Sequence, residues 1–192
     1  LMSFKKGVSY SVILLLPLLI LFFLQLNKNN TSNYISENIN TEISNYQNQL
    51  TQLESQLTDT NTIQSVSWED KNADLFIFES SKLTFWSTND YQLDSRNLLL
   101  QSNKLFVIDN SYGKFILLKS NIKSKTIILS IPLVRHYTFN NKYIKSTLNQ
   151  SIFNHNDIQV SFVKIEDFER VLINNELKIY VRESNTKINN QL

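Results

Sequence analysis

The segment Val8–Leu26, VSYSVILLLPLLILFFLQL, carries no charged side chain. As an α-helix it would measure roughly 28 Å, close to the thickness of a bilayer's hydrocarbon layer. It has no polar face, so it reads as a transmembrane helix rather than as a helix on a globular core. Pro17 is compatible with that reading, because helices in lipid re-satisfy a freed carbonyl locally. Lys5 and Lys6 precede the run, and only Lys28 follows closely before Glu37 and Glu42. The positive-inside rule then places the N-terminus in the cytoplasm and the rest outside it. A cleaved leader would show a shorter apolar core and a small-x-small site, whereas NKNNTSN follows here. The expected organisation is a cytoplasmic tail at 1–7, a transmembrane helix at 8–26, a helical stalk at 27–65 and an extracytoplasmic domain at 66–192. The location that follows is single-pass in an inner membrane, with the C-terminal domain periplasmic. The chain starts Leu1-Met2, which suggests a fragment or an unusual start.

The stalk reading rests on spacing. Ile39, Ile43, Tyr46, Leu50, Leu53 and Leu57 are separated alternately by four and three residues. That is the repeat of a coiled-coil seam, narrower than the stripe of a helix on a globular core. The residues between them are Asn, Gln, Thr, Ser and Glu. The expectation is a parallel homodimer zipped along this seam. The competing reading lays the same seam against the chain's own domain. A polar helix of this kind is marginal alone and needs one partner or the other.

Beyond Val66 the pattern turns to short β-rich runs bounded by polar clusters. DLFIFES (74–80) and LTFWST (83–88) form one expected hairpin. KLFVID (104–109) and KFILLK (114–119) form a second, with Gly113 where the turn requires positive φ. KTIILSI (125–131) is a further strand, ended by Pro132. Residues 141–153 read as a short helix or irregular segment, 158–164 as a strand, and 169–173 with 177–181 as a last hairpin around Asn174-Asn175. The fold class is therefore α+β: a transmembrane helix continuing into a long stalk helix, then a mainly antiparallel sheet. That element order suggests a PAS-like or Cache-like sensor fold.

Chemistry-bearing motifs are scarce. With zero Cys there is no disulfide or thiolate metal site, and with two Gly no nucleotide-cradling Gly-rich loop. The formal net charge of +2 is spread without a basic stripe, which excludes a nucleic-acid binder. His136 and His155 are far apart and follow no ligand spacing. The acidic cluster in KIEDFER, with Lys164 and Arg170 beside it, reads as a solvated turn. No catalytic, cofactor or metal residue is assigned, and the chain is not expected to be an enzyme. Trp86, Arg135, His136, Tyr137 and Tyr143, with Tyr91, are the candidates for a ligand pocket, since pockets combine aromatic walls with a few polar anchors.

The run DLFIFESSKLTFWSTND resembles a hairpin in the extracytoplasmic sensor region of membrane-bound two-component sensor histidine kinases, whose second strand reads L-x-F-W-S-x-N. The stretch KFILLKSNIKSKTIILSIPLVRHYTFNNKYI is similar to the same region, with Tyr137, Asn141 and Tyr143 in its Tyr–Asn–Tyr places. The resemblance covers most of the chain and implies the input half of a longer kinase, cut before a second membrane helix. The phosphoacceptor histidine helix and ATP-binding domain of such kinases have no counterpart here, so this chain would phosphorylate nothing. The implied partners are the membrane, a second copy and a periplasmic ligand or protein. The alternative is a bitopic assembly protein of a type IV pilus or type II secretion platform.

Overall fold

The computed structural model describes residues 7–60, 63, 66–91, 93–137, 146–154 and 157–184; for most of 7–30 only the helical backbone is described. One helix, α1 (Gly7–Thr60, 54 residues), is followed by β1 (Asp74–Glu79), β2 (Lys82–Trp86), α2 (Ser95–Leu100), β3 (Leu105–Asn110), β4 (Gly113–Ile122) and β5 (Lys125–Arg135). Then come β6 (Thr147–Leu148), β7 (Ile158–Ser161), β8 (Glu169–Ile173) and β9 (Leu177–Glu183). All pairings are antiparallel. They form a six-stranded sheet in the order β2-β1-β5-β4-β3, with β6 on the end of β5, and a three-stranded sheet β7-β9-β8.

The large sheet is apolar on both faces, and strand parity sorts the residues. Leu75 and Ile77 of β1, Ile116 and Leu118 of β4, and Ile127, Leu129, Ile131 and Leu133 of β5 share one core with α1 and the small sheet. Phe76, Phe78, Phe106, Phe115, Leu117 and Ile128 point the other way, into a second cluster with Tyr91 and Leu98. Burial on both faces is why these strands read as near-continuous apolar runs rather than as a clean alternation.

The seam of α1 is part of the first core. Ile35, Ile39, Ile43, Tyr46, Leu50, Leu53 and Leu57 are all buried against the chain's own sheets. The helix is also pinned by polar contacts to residues far along the chain. Ser36 Oγ donates to Leu172 O at 2.9 Å, Asn38 Nδ2 to Ile152 O at 3.0 Å, and the Asn174 amide to Asn40 Oδ1 at 2.9 Å. Tyr46 donates to Asp70 at 3.1 Å. The coiled-coil stalk expected from Ile39, Ile43, Tyr46, Leu50, Leu53 and Leu57 is thus corrected: an intramolecular core already covers that stripe. Periods of 3.5 and 3.6 differ by only about 20° per heptad, roughly 50° over the five turns from Ile39 to Leu57, too little to separate the two readings.

The transmembrane expectation is corrected as well. Among the described residues no helix is long and apolar enough to cross a membrane. The segment 8–26 supplies about the first third of α1 and is no separate element; apart from Pro17, Leu19 and Ile20 its side chains lie outside the described residues. This overturns the inner-membrane, single-pass location and, with it, the fold class of membrane helix plus stalk. The single meandering sheet behind the PAS-like or Cache-like expectation is instead two sheets, with β1 next to β5.

The turns show local chemistry clearly. Gly113 has φ 144°, and a Cβ there would lie 2.0 Å from Val134 O, so close backbone approach as well as φ demands glycine. Asn174 (φ 46°) and Asn175 (φ 59°) turn the last hairpin in the left-handed region, where Asn is tolerated. Pro132 does not end β5, as expected, but lies inside it. It sits past Ser130, the last partner of β1, and beside a register shift on the β4 side, where a missing N–H is tolerated.

Candidate binding clefts

Two concavities and the buried polar chain joining their walls are the chemically distinctive features of the second face. The first is a cleft of about 360 Å³ over the β1–β2 hairpin. Phe76 and Phe78 form its floor, Leu83 and Trp86 of β2 one wall, and Thr88, Asn89, Tyr91 and Leu93 of the following loop the other. Trp86 is 49 % exposed, unusual for the largest apolar side chain, and Leu83 is also exposed. The indole is held, its Nε1–H donating to Asn89 Oδ1 at 2.8 Å. The cleft therefore offers aromatic and aliphatic walls, the Thr88 hydroxyl and the Asn89 amide, and no charged group, the Tyr91 hydroxyl being engaged by Asp74 and Ser130.

Tyr91 closes the cleft's inner end. Its ring stacks on Phe115 at 4.7 Å and lies 5.7 Å from Phe76. Its hydroxyl is 2.9 Å from Asp74 Oδ2 and 2.7 Å from Ser130 Oγ. The single phenolic proton goes to the carboxylate, so the Ser130 hydroxyl donates back to the phenol oxygen. Burial, and next the Asp74 charge, push the Tyr91 phenol far above its ordinary value, which keeps it a donor. Asp74 also accepts from Arg135 Nη2 at 2.8 Å, while Arg135 Nη1 reaches the exposed Asp90 at a longer 3.4 Å. Burial raises the Asp74 carboxyl above the usual carboxylate range, against the pull of Arg135 and of the Tyr91 hydrogen bond.

Arg135 in turn lines the second concavity, of about 290 Å³, with Lys71, Asn72, Pro132, Tyr137, Thr147, Leu148, Asn149 and Gln150. A larger opening of about 470 Å³ between β3 and Glu176–Leu177 is lined by Gln101, Asn103, Lys104 and strand residues that make no comparable polar network. Among the described residues no group of three or more His, Cys, Asp or Glu side chains is placed to hold a metal.

The residues expected to share one pocket are divided. Trp86 and Tyr91 line the first cleft, and Arg135 and Tyr137 the second. His136 lines neither: its Nδ1 is 3.0 Å from Ser146 Oγ, and its amide donates to Tyr112 O at 2.7 Å. Tyr143 lies outside the described residues. Sequence reasoning missed Asp74, Ser130, Phe76, Phe78 and Asn89. A usable signal existed for two of them, since Asp74 and Ser130 are polar residues set against apolar runs, DLFIF and IILSIPL. Lys119, the polar end of FILLK, carries the same signal with a structural meaning. Its buried Nζ donates to the carbonyls of Leu98, Leu99 and Gln101 and so closes the C-terminal end of α2, burial lowering its pKa.

No protein-family model, no curated protein and no solved structure matches this chain. No catalytic family is therefore indicated, and the functional reading rests on the clefts themselves.

Proposed function

We propose that this chain is the ligand-recognition region of a signalling protein of the two-component histidine kinase kind, with the Trp86 cleft as its recognition site. One observation carries the reading: β1 is shared between the cleft and the helix. Phe76 and Phe78 form the cleft floor, while Leu75 and Ile77, the alternate residues, lie in the core with α1. A ligand that prefers one position of β1 thereby prefers one seating of α1, which differential affinity requires of any signal input. The stretch that resembles kinase sensor regions, residues 74–90, also supplies most of the cleft lining. Uncharged aromatic walls with one amide and one hydroxyl suit a neutral, largely apolar ligand.

Trp86 reports on the cleft once Trp68, the other tryptophan, is replaced by Phe. Benzyl alcohol, a neutral probe, is expected to change the fluorescence of Trp68→Phe protein saturably, and Trp86→Ala to abolish its binding by calorimetry. Amide exchange over residues 35–57 is expected to change on saturation. Absence of saturable binding would remove the recognition role, and binding with unchanged exchange in α1 would remove the signalling role.

A further inference from the structure

We infer that the second concavity is a separate binding site, for a small organic carboxylate. Its volume of about 290 Å³ is near the lower end of the range small-molecule pockets occupy, roughly 300–1,000 Å³. The charged groups on its wall are both cations, Lys71 and Arg135, and no Asp or Glu is among its lining residues. Around them stand the amides of Asn72, Asn149 and Gln150 and the Thr147 hydroxyl, which suit the polar body of an organic molecule better than a bare ion.

Arg135 is the group most suited to the carboxylate. Its side chain is 17 % exposed and is held from behind by the buried Asp74 through Nη2 at 2.8 Å. A guanidinium has five donors in a planar fork, and among the described residues Nη1 meets only the long 3.4 Å contact with Asp90, itself 67 % exposed. A ligand carboxylate competes with that weak, solvated contact while Asp74 keeps the fork aligned. The walls are also fixed from within. Asn149 Nδ2 donates to Pro132 O at 2.9 Å, and its Oδ1 accepts from the Ser151 amide and hydroxyl, tying the 147–151 segment to β5. The site shares no lining residue with the Trp86 cleft, although Asp74 links Arg135 to Tyr91 behind both.

Acetate, titrated into the full chain at constant ionic strength against chloride, tests this by amide chemical shifts. Saturable shifts are expected at Arg135, Thr147 and Gln150, with none at Trp86. Arg135→Lys keeps a cation for Asp74 but loses the fork, and is expected to weaken acetate binding about tenfold or more. Lys71→Gln, at an exposed position where folding is not at stake, is expected to weaken it about threefold. Shifts that follow chloride equally, tighter binding of inorganic phosphate or of methylammonium than of acetate, or indifference to both substitutions would each overturn the assignment. The Trp86 fluorescence titration with benzyl alcohol, run on Lys71→Gln, is expected to be unchanged and separates a failure here from a failure of the cleft.

Discussion

The two faces of the six-stranded sheet are built from the same strands yet behave as different materials. The inner face is aliphatic and fully covered: Ile, Leu and Val from three strands meet the α1 stripe and the small sheet, and most are wholly buried. The outer face is largely aromatic; among the described residues α2 and one loop cover it, and Leu83 and Trp86 are exposed. Branched aliphatic side chains interdigitate densely and leave little room. Flat rings stack at their edges and leave clefts between them, and buried hydroxyls and carboxyls such as Tyr91 and Asp74 find partners there. The difference places most of the covered core on one face and the cleft proposed for recognition on the other.

That division can be broken by substitution. Ile43→Ala, on the inner side, is expected to cost about 2–5 kcal/mol in denaturant unfolding, with no change in association state by sedimentation. A change in association without loss of stability would put the helix stripe back on an intermolecular surface. Lys119→Ala, at the edge of the outer face, is expected to cost about 2 kcal/mol, because three carbonyls at the end of α2 lose their donor. A neutral result would mean that water replaces the ammonium there.

Asp74→Asn sharpens the comparison through pH. Burial raises the folded carboxyl above its unfolded value of 3.8, so its contribution to stability is fully present below that value and is lost as pH rises through the folded one. The stability of the native protein relative to Asp74→Asn is therefore expected to fall as pH rises upward from about 4, by less than the Lys119 change. A pH-independent difference would show that Arg135 fully offsets the burial. Trp86→Ala is expected to change stability by no more than about 0.5 kcal/mol while removing probe binding, the mark of a residue on the recognition side.

Much of the sheet was legible because short apolar runs, polar turns and a Gly or Asn at left-handed positions are local signals. The hairpins at 74–88, 104–119 and 169–181 lie where the sequence places them. What α1 packs against was not legible, since the stripe from Ile39 to Leu57 satisfies a second helix and a twisted sheet equally well. The membrane reading of Val8–Leu26 rested on its length, its lack of charge and the lysines flanking it. The clefts were half legible: Trp86, Tyr91, Arg135 and Tyr137 all line one, but their division between two depends on strand order. Only the pairing of β1 with β5, bringing Asp74 opposite Ser130, shows Asp74 between Tyr91 and Arg135.

The length of α1 has a mechanical consequence. Among the described side chains its buried stripe begins at Ile35, and the helix runs back to Gly7. Ile20 lies roughly 35 Å along the axis from Ile43. A rocking of about 5° about Ile43 moves the adjacent turn at Ile39 by about 0.5 Å, the far end of the buried stripe at Leu57 by about 2 Å, and Ile20 by about 3 Å. The rod therefore enlarges, toward its N-terminal end, any tilt taken up where it packs on the sheets.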